Sequence, residues 1–145
     1  MRSSASQEIK MEQRHLTEWK NFYSDGAAFH NRMRSGAQSG RLSPDVLHGL
    51  ASLANEKLLM SLLMYNGVHP EGHTFFNLIC SAEQFCKINN DLKKSLMKMD
   101  EIVPLCSLDP APYKPVTGSD VEMFVATTEK VHAIVDAAIK KNQGI

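Results

Sequence analysis

The sequence predicts an all-α fold, a five-helix up-and-down bundle, and three observations carry that expectation. Apolar residues recur with a period of about 3.6 residues, and nowhere do Val, Ile, Thr or aromatics alternate with polar residues over a strand's length. One segment opens on a proline-backed cap, Ser43-Pro44-Asp45, and closes on Asn66-Gly67. A third opens on a capping-box pattern, Ser119-Asp120-Val121-Glu122.

The first helix is expected over about Ser6 to Arg34. Leu16, Trp19, Tyr23, His30 and Met33 fall near one face, with Phe22 and Phe29 beside it. Asp25-Gly26 is expected to bend or break it, because an interior glycine costs about 1 kcal/mol relative to alanine. Gly36 to Gly40 reads as a short flexible connector, which makes the next helix an antiparallel neighbour.

The second helix is expected over 43–66. Leu47, Leu50, Ala51, Ala54, Leu58, Leu62 and Tyr65 form its stripe, and Leu59, Leu63 and Met64 widen it until the last two turns are apolar nearly all round. Such a helix is buried by neighbours on several sides. Gly67 is expected as its left-handed terminator. A third helix is expected over 73–86, opened by His73 or Thr74. A fourth is expected over 91–103, after an Asn89-Asn90-Asp91 cap, with Leu92, Leu96, Met99 and Val103 on one face. Residues 104–118 hold Pro104, Pro110, Pro112 and Pro115 and cannot be helical. The fifth helix, 119–141, carries Val121, Phe124, Val125, Thr128, Val131, Val135, Ala138 and Ile139, with Lys140 and Lys141 at the negative end of its dipole.

The 145 residues are read as one domain, 1–145. Lys plus Arg and Asp plus Glu both number 16, a balance that argues against a dedicated polyanion binder but leaves room for a local basic patch. All the arginines, Arg2, Arg14, Arg32, Arg34 and Arg41, lie in the first 41 residues. Cys80, Cys86 and Cys106 are odd in number and irregular in spacing, which reads as reduced thiols in a cytoplasmic protein. Cys80 and Cys86 are expected in the core as small apolar residues. No apolar run approaches the length of a membrane span, and the N-terminal residues do not form a signal peptide.

Three stretches carry a family resemblance. Ala54-Asn55-Glu56-Lys57-Leu58-Leu59 with Leu62-Leu63 forms one. Gly67-Val68-His69-Pro70-Glu71-Gly72-His73-Thr74 and the apolar residues after it form the second. Leu108-Asp109-Pro110-Ala111-Pro112-Tyr113-Lys114-Pro115 followed by Ser119 to Lys141 forms the third. Together they resemble the HEPN domain (higher eukaryotes and prokaryotes nucleotide-binding): its central helix, its Gly-x-x-Pro turn before a His, and its Asp- and Tyr-bearing loop before the last helix. The resemblance implies a helical bundle that binds nucleotide or RNA, a homodimer, and a nucleotidyltransferase-type protein partner.

Many members of that family are ribonucleases marked by a late Arg-x4-6-His motif. The histidine moves a proton at the ribose 2′-hydroxyl or leaving oxygen, and the guanidinium offsets charge on the phosphate. This chain has no Arg after Arg41 and no His between His73 and His132, so the late motif is absent. The expectation is therefore a non-catalytic binding or interaction module. The alternatives are a toxin-like, metal-independent endoribonuclease with a relocated Arg/His pair, or a purely structural bundle for a protein partner.

Weak catalytic candidates are Arg41, His48 and His73. Arg41 and His48 match the motif's spacing but straddle the start of the wrong helix. A basic patch of Lys20, Arg32, Arg34 and Arg41 is the candidate ligand site, beside the blander reading of a solvated helix end. His69 and His73, four apart, lack a third ligand, so no metal and no cofactor is expected. Met97 and Phe124 are candidates for an exposed interface.

Overall fold

The computed structural model describes the backbone of residues 3–101 and 116–142 and the side chains of 17–101 and 116–141. The helices are α1 Ser3–Ser39, α2 Pro44–Tyr65, α3 Phe75–Ala82, α4 Asn90–Glu101 and α5 Gly118–Asn142, with no strand among the described residues. The proline-rich stretch 104–115, Cys106 and Val103 lie outside them.

α1 runs through Asp25-Gly26 without the break that the sequence allowed there. A Cβ on Gly26 would stand 2.8 Å from Leu58 Cγ and 3.1 Å from the Leu58 backbone nitrogen. The glycine is there to let α1 and α2 approach closely. Nor is 36–40 a free connector. The helix continues to Ser39, and only Gly40, at φ +68°, takes the left-handed conformation that ends it.

α2 opens as its sequence predicts. Ser43 Oγ accepts from the Val46 N–H at 3.3 Å, and Pro44 occupies the first turn. It closes on a Schellman arrangement, with Val68 N–H donating to Leu63 O at 2.9 Å and Gly67 N–H to Met64 O at 3.0 Å; Gly67 sits at φ +70°. Leu58, Leu59, Leu62, Leu63 and Met64 are all buried, which makes α2 the central helix. It packs on α1, α3 and α5.

Thr74, not His73, caps α3, its hydroxyl accepting from Asn77 N–H at 3.3 Å, and the helix ends at Ala82, short of Phe85. Asp100 near the end of α4 accepts from Phe75 N–H at 2.8 Å and so fastens α4 to the start of α3. Burial pushes the Asp100 carboxyl up, against the pull of that bond. Asn89 caps α4.

The capping box of α5 is displaced by two residues. Thr117 Oγ1 accepts from Asp120 N–H at 3.3 Å while Asp120 Oδ2 accepts from Thr117 N–H at 3.0 Å. Three further expectations fail. Phe124 is fully buried and offers no interface, whereas Met97 is exposed. Cys80 is exposed and Cys86 only half-buried, so neither is a core thiol.

α1 runs antiparallel both to α2 and to α5. Along α1, Trp19 meets Tyr65, Gly26 meets Leu58 and Gly36 meets Leu42. Against α5, Tyr23 meets Asp136, His30 meets His132 and Arg34 meets Glu129. The first and last helices thus lie side by side on one flank of α2. No helix is long and apolar enough to cross a membrane among the described residues.

Candidate functional site

Two stripes of polar residues face each other along the α1–α5 seam. On α1, Trp19, Tyr23, His30 and Arg34 recur at helical spacing; on α5, Glu129, His132, Asp136 and Lys140 do the same. They join into one continuous set of contacts. Arg34 Nη2 lies 3.2 Å from His30 Nε2, and His30 Nδ1 lies 2.8 Å from His132 Nδ1. His132 Nε2 lies 3.2 Å from Tyr23 Oη and 3.8 Å from Asp136 Oδ2. The Tyr23 hydroxyl donates to Asp136 Oδ1.

Burial grades along this set. His30, in the middle, is 2% exposed. The side chain of Arg34 is 45% exposed at one end, where Glu129 approaches it at 3.9 Å. Toward the other end His132 is 21% and Asp136 33% exposed. Burial, then the positive charge of Arg34 and then His132, hold the His30 pKa below the ordinary histidine value, while Glu129 pulls weakly the other way. Burial, then the bond to Asp136 and its charge, push the Tyr23 hydroxyl up to about 12. Both groups therefore stay neutral near pH 7.

The His30 shift makes folding pH-dependent. Its unfolded pKa, about 6.5, exceeds its folded one, so the unfolded chain binds more protons below that value. The stability that neutral His30 supplies is present above about pH 6.5 and is lost as pH falls toward the folded pKa. The thermal midpoint should drop between pH 7 and 5, and the drop should be smaller in His30→Gln. Equal drops in both proteins would show that His30 is not the group responsible.

The Asp136 end opens into a cleft of about 300 Å³ lined by Trp19, Lys20, Tyr23, Asp136, Ile139 and Lys140. Its walls are aromatic and aliphatic, and its rim carries two ammonium groups and one carboxylate. Lys20 Nζ rests 5.9 Å over the Trp19 ring, and Trp19 packs edge-on against Tyr65 and Tyr23. A larger hollow of about 450 Å³ lies between α1 and α2, but Glu18 and Asp25 line it with no Lys or Arg among the lining residues. That sign of charge repels a phosphate, so of these two the smaller cleft is the better anion site.

The residues singled out in the sequence are dispersed. Lys20 lines the cleft. Arg34 stands 14 residues further along α1, about 21 Å by helical rise, at the far end of the polar set. Arg32 is two residues from Arg34, about 200° around the helix, and faces solvent. Arg41 lies beyond the helix end, its backbone N–H on Ser39 Oγ. The four do not form one patch.

His48 is a core residue: Nε2 lies 3.2 Å from the Met99 carbonyl and the ring packs on Phe124. His73 is exposed and pairs with Glu56 at 3.0 Å. Among the described residues no three His, Cys, Asp or Glu side chains converge as metal ligands.

Sequence reasoning missed His132 and Asp136, and valued Tyr23 and His30 only as stripe residues. The available signal was a histidine on the inward face of both the first and the last helix. A search for Arg and His close together in sequence cannot see side chains that meet across 102 positions.

No family model and no curated protein matches the chain. The fold matches the crystal structure of an archaeal HEPN homologue with a TM-score of 0.62, at 16% sequence identity, over 85% of this chain and 98% of that one. At that identity the likeness carries the fold.

Proposed function

Proceeding from a HEPN-like bundle, we propose that this chain is a nucleotide- or RNA-binding module whose site is the α1–α5 cleft. The observation that supports it is the cleft's composition. Trp19, Tyr23 and Ile139 offer aromatic and aliphatic surface for a base, and Lys20 and Lys140 offer cations for phosphate. A volume of about 300 Å³ sits at the small end of ligand pockets, which favours a single nucleotide unit over a stacked run.

Trp19 is the only tryptophan of the chain and lines the cleft, so its fluorescence reports the site directly. Titration with a mononucleotide or a short single-stranded RNA should change that emission. Lys20→Ala combined with Lys140→Ala should weaken binding. With two phosphate contacts the slope of log K against log salt should be about −1.4 for a single strand. An emission that stays constant up to millimolar nucleotide and RNA would falsify the assignment.

A second reading, cleavage of the bound RNA without metal, is favoured by one specific feature. Asp136 lines the cleft, and His132, set behind the lining residues, stands 3.8 Å from it. Attack of the 2′-oxygen on phosphorus breaks the bond to the 5′-oxygen; it needs an acceptor for the hydroxyl proton, donors for the phosphoryl oxygens, and return of a proton from that acceptor or from water to the departing 5′-oxygen. A carboxylate and an imidazole are suitable groups. RNA incubated with the protein in chelator should then yield fragments ending in a 2′,3′-cyclic phosphate. Binding without such fragments leaves the module non-catalytic.

A further inference from the structure

We propose that Arg34, His30, His132, Tyr23 and Asp136 form one proton-ordered chain, fixed from both ends, that makes His132 present an N–H and not a lone pair on the cleft side. Arg34 and His30 are then positioning residues for an imidazole that neither the sequence nor the fold comparison singles out. The consequence for RNA rests on the cleft being the ligand site; the proton order does not.

The order follows from what each group can donate. A guanidinium has donors only, so the 3.2 Å contact from Arg34 Nη2 makes His30 Nε2 the acceptor. A neutral imidazole has one donor and one acceptor, so the His30 proton sits on Nδ1 and is donated to His132 Nδ1 at 2.8 Å. His132 must then carry its own proton on Nε2, 3.2 Å from Tyr23 Oη. That oxygen accepts, and the Tyr23 hydroxyl donates to Asp136. A carboxylate has acceptors only. The chain thus begins at a group that cannot accept and ends at one that cannot donate.

Reversing the order sets the His30 N–H against an Arg34 N–H and leaves Asp136 without its donor. Adding a proton to either imidazole also sets donor against donor. The lowered pKa of His30 and the raised pKa of Tyr23 agree with these two groups being neutral within the chain. The remaining charged groups lie outside the chain: Glu129 beside Arg34, and Lys20 and Lys140 around the cleft.

The order decides what His132 can do. Its Nδ1 lone pair is committed to His30, so it cannot take a proton from a ribose hydroxyl while the chain is intact. Its Nε2 N–H points at Tyr23 Oη, which lines the cleft, so it reaches a phosphate oxygen only where that oxygen takes the place of the Tyr23 hydroxyl. Asp136, acceptor-only and on the cleft wall, is left as the group that takes a proton.

Nitrogen-15 NMR of the histidine side chains at pH 7.5 tests this directly. In the wild-type protein His30 should be the Nδ1–H tautomer and His132 the Nε2–H tautomer, each favoured by about tenfold or more, as one misdirected hydrogen bond would produce. Arg34→Met alone should leave His132 unchanged, because Asp136 still fixes the order. Arg34→Met with Asp136→Asn frees both ends, since an amide can donate or accept, and the two tautomers of His132 should approach equal populations. A wild-type His132 carrying its proton on Nδ1 overturns the proposal, and so does a double variant with the wild-type ratio. The wild-type spectrum is readable with or without nucleotide, so a cleft that binds nothing fails separately from a chain that is not ordered.

Discussion

Gly26→Leu should destabilise the fold by more than about 3 kcal/mol, the range of severe overpacking. A Cβ at position 26 would meet not only Leu58 Cγ at 2.8 Å but the Leu58 backbone nitrogen at 3.1 Å. A side chain can rotate away; the backbone of the buried central helix cannot. Further leucine carbons would force α1 off α2. Gly26→Ala sets about 1 kcal/mol of helix propensity against about 1–3 kcal/mol of overpacking, and should be neutral to mildly destabilising.

Gly36→Ala is the control. Its nearest neighbour is closer, Leu42 Cδ1 at 2.2 Å, yet the three nearest atoms all belong to the side chain of one residue in the connecting turn. Leu42 can shift, so the variant should lie within about 1 kcal/mol of wild type. Urea unfolding followed by Trp19 emission measures all three. A Gly26→Leu midpoint equal to wild type would mean that α1 and α2 do not touch there.

The contrast shows what the sequence could and could not disclose. Capping signals are local: Ser43-Pro44 and Asn66-Gly67 each act on backbone groups within a few residues, and α2 begins and ends where they stand. Gly26 is ambiguous for the same reason. Local propensity makes it a helix breaker, and only the position of Leu58, 32 residues later, turns it into a contact point. Two cap patterns overlap at the start of α5, and the reciprocal bonds form between Thr117 and Asp120, not within the Ser119 box.

The site was the least legible part. Arg34 and Lys20 were named as an anion patch, but their value depends on which face of α1 meets α5. His132 and Asp136 look like ordinary surface spacing on α5 until α1 is laid beside them. A catalytic motif written as a spacing assumes that both residues share a helix. Here guanidinium and imidazole belong to the first and last helices, and a second imidazole stands between them.

Under the second reading, in which the bound RNA is cleaved without metal, His132→Ala and Asp136→Asn should each lower the rate by about 10²- to 10³-fold, as expected for loss of a phosphoryl-oxygen donor or of a general base. Arg34→Met should cost far less, within about tenfold, because Asp136 alone preserves the order of the chain. The two kinds of variant should also combine unequally. Arg34→Met added to His132→Ala should change nothing further, since a residue acting through His132 has no effect once that imidazole is gone. An Arg34→Met loss as large as that of His132→Ala would place the guanidinium on the phosphate itself. The rim of Lys20 and Lys140 separates the possibilities once more. Replacing either lysine should raise KM with little change in kcat if it only binds, because uniform binding contributes nothing to the chemical step. A guanidinium that touched the transferring phosphate would instead appear in kcat.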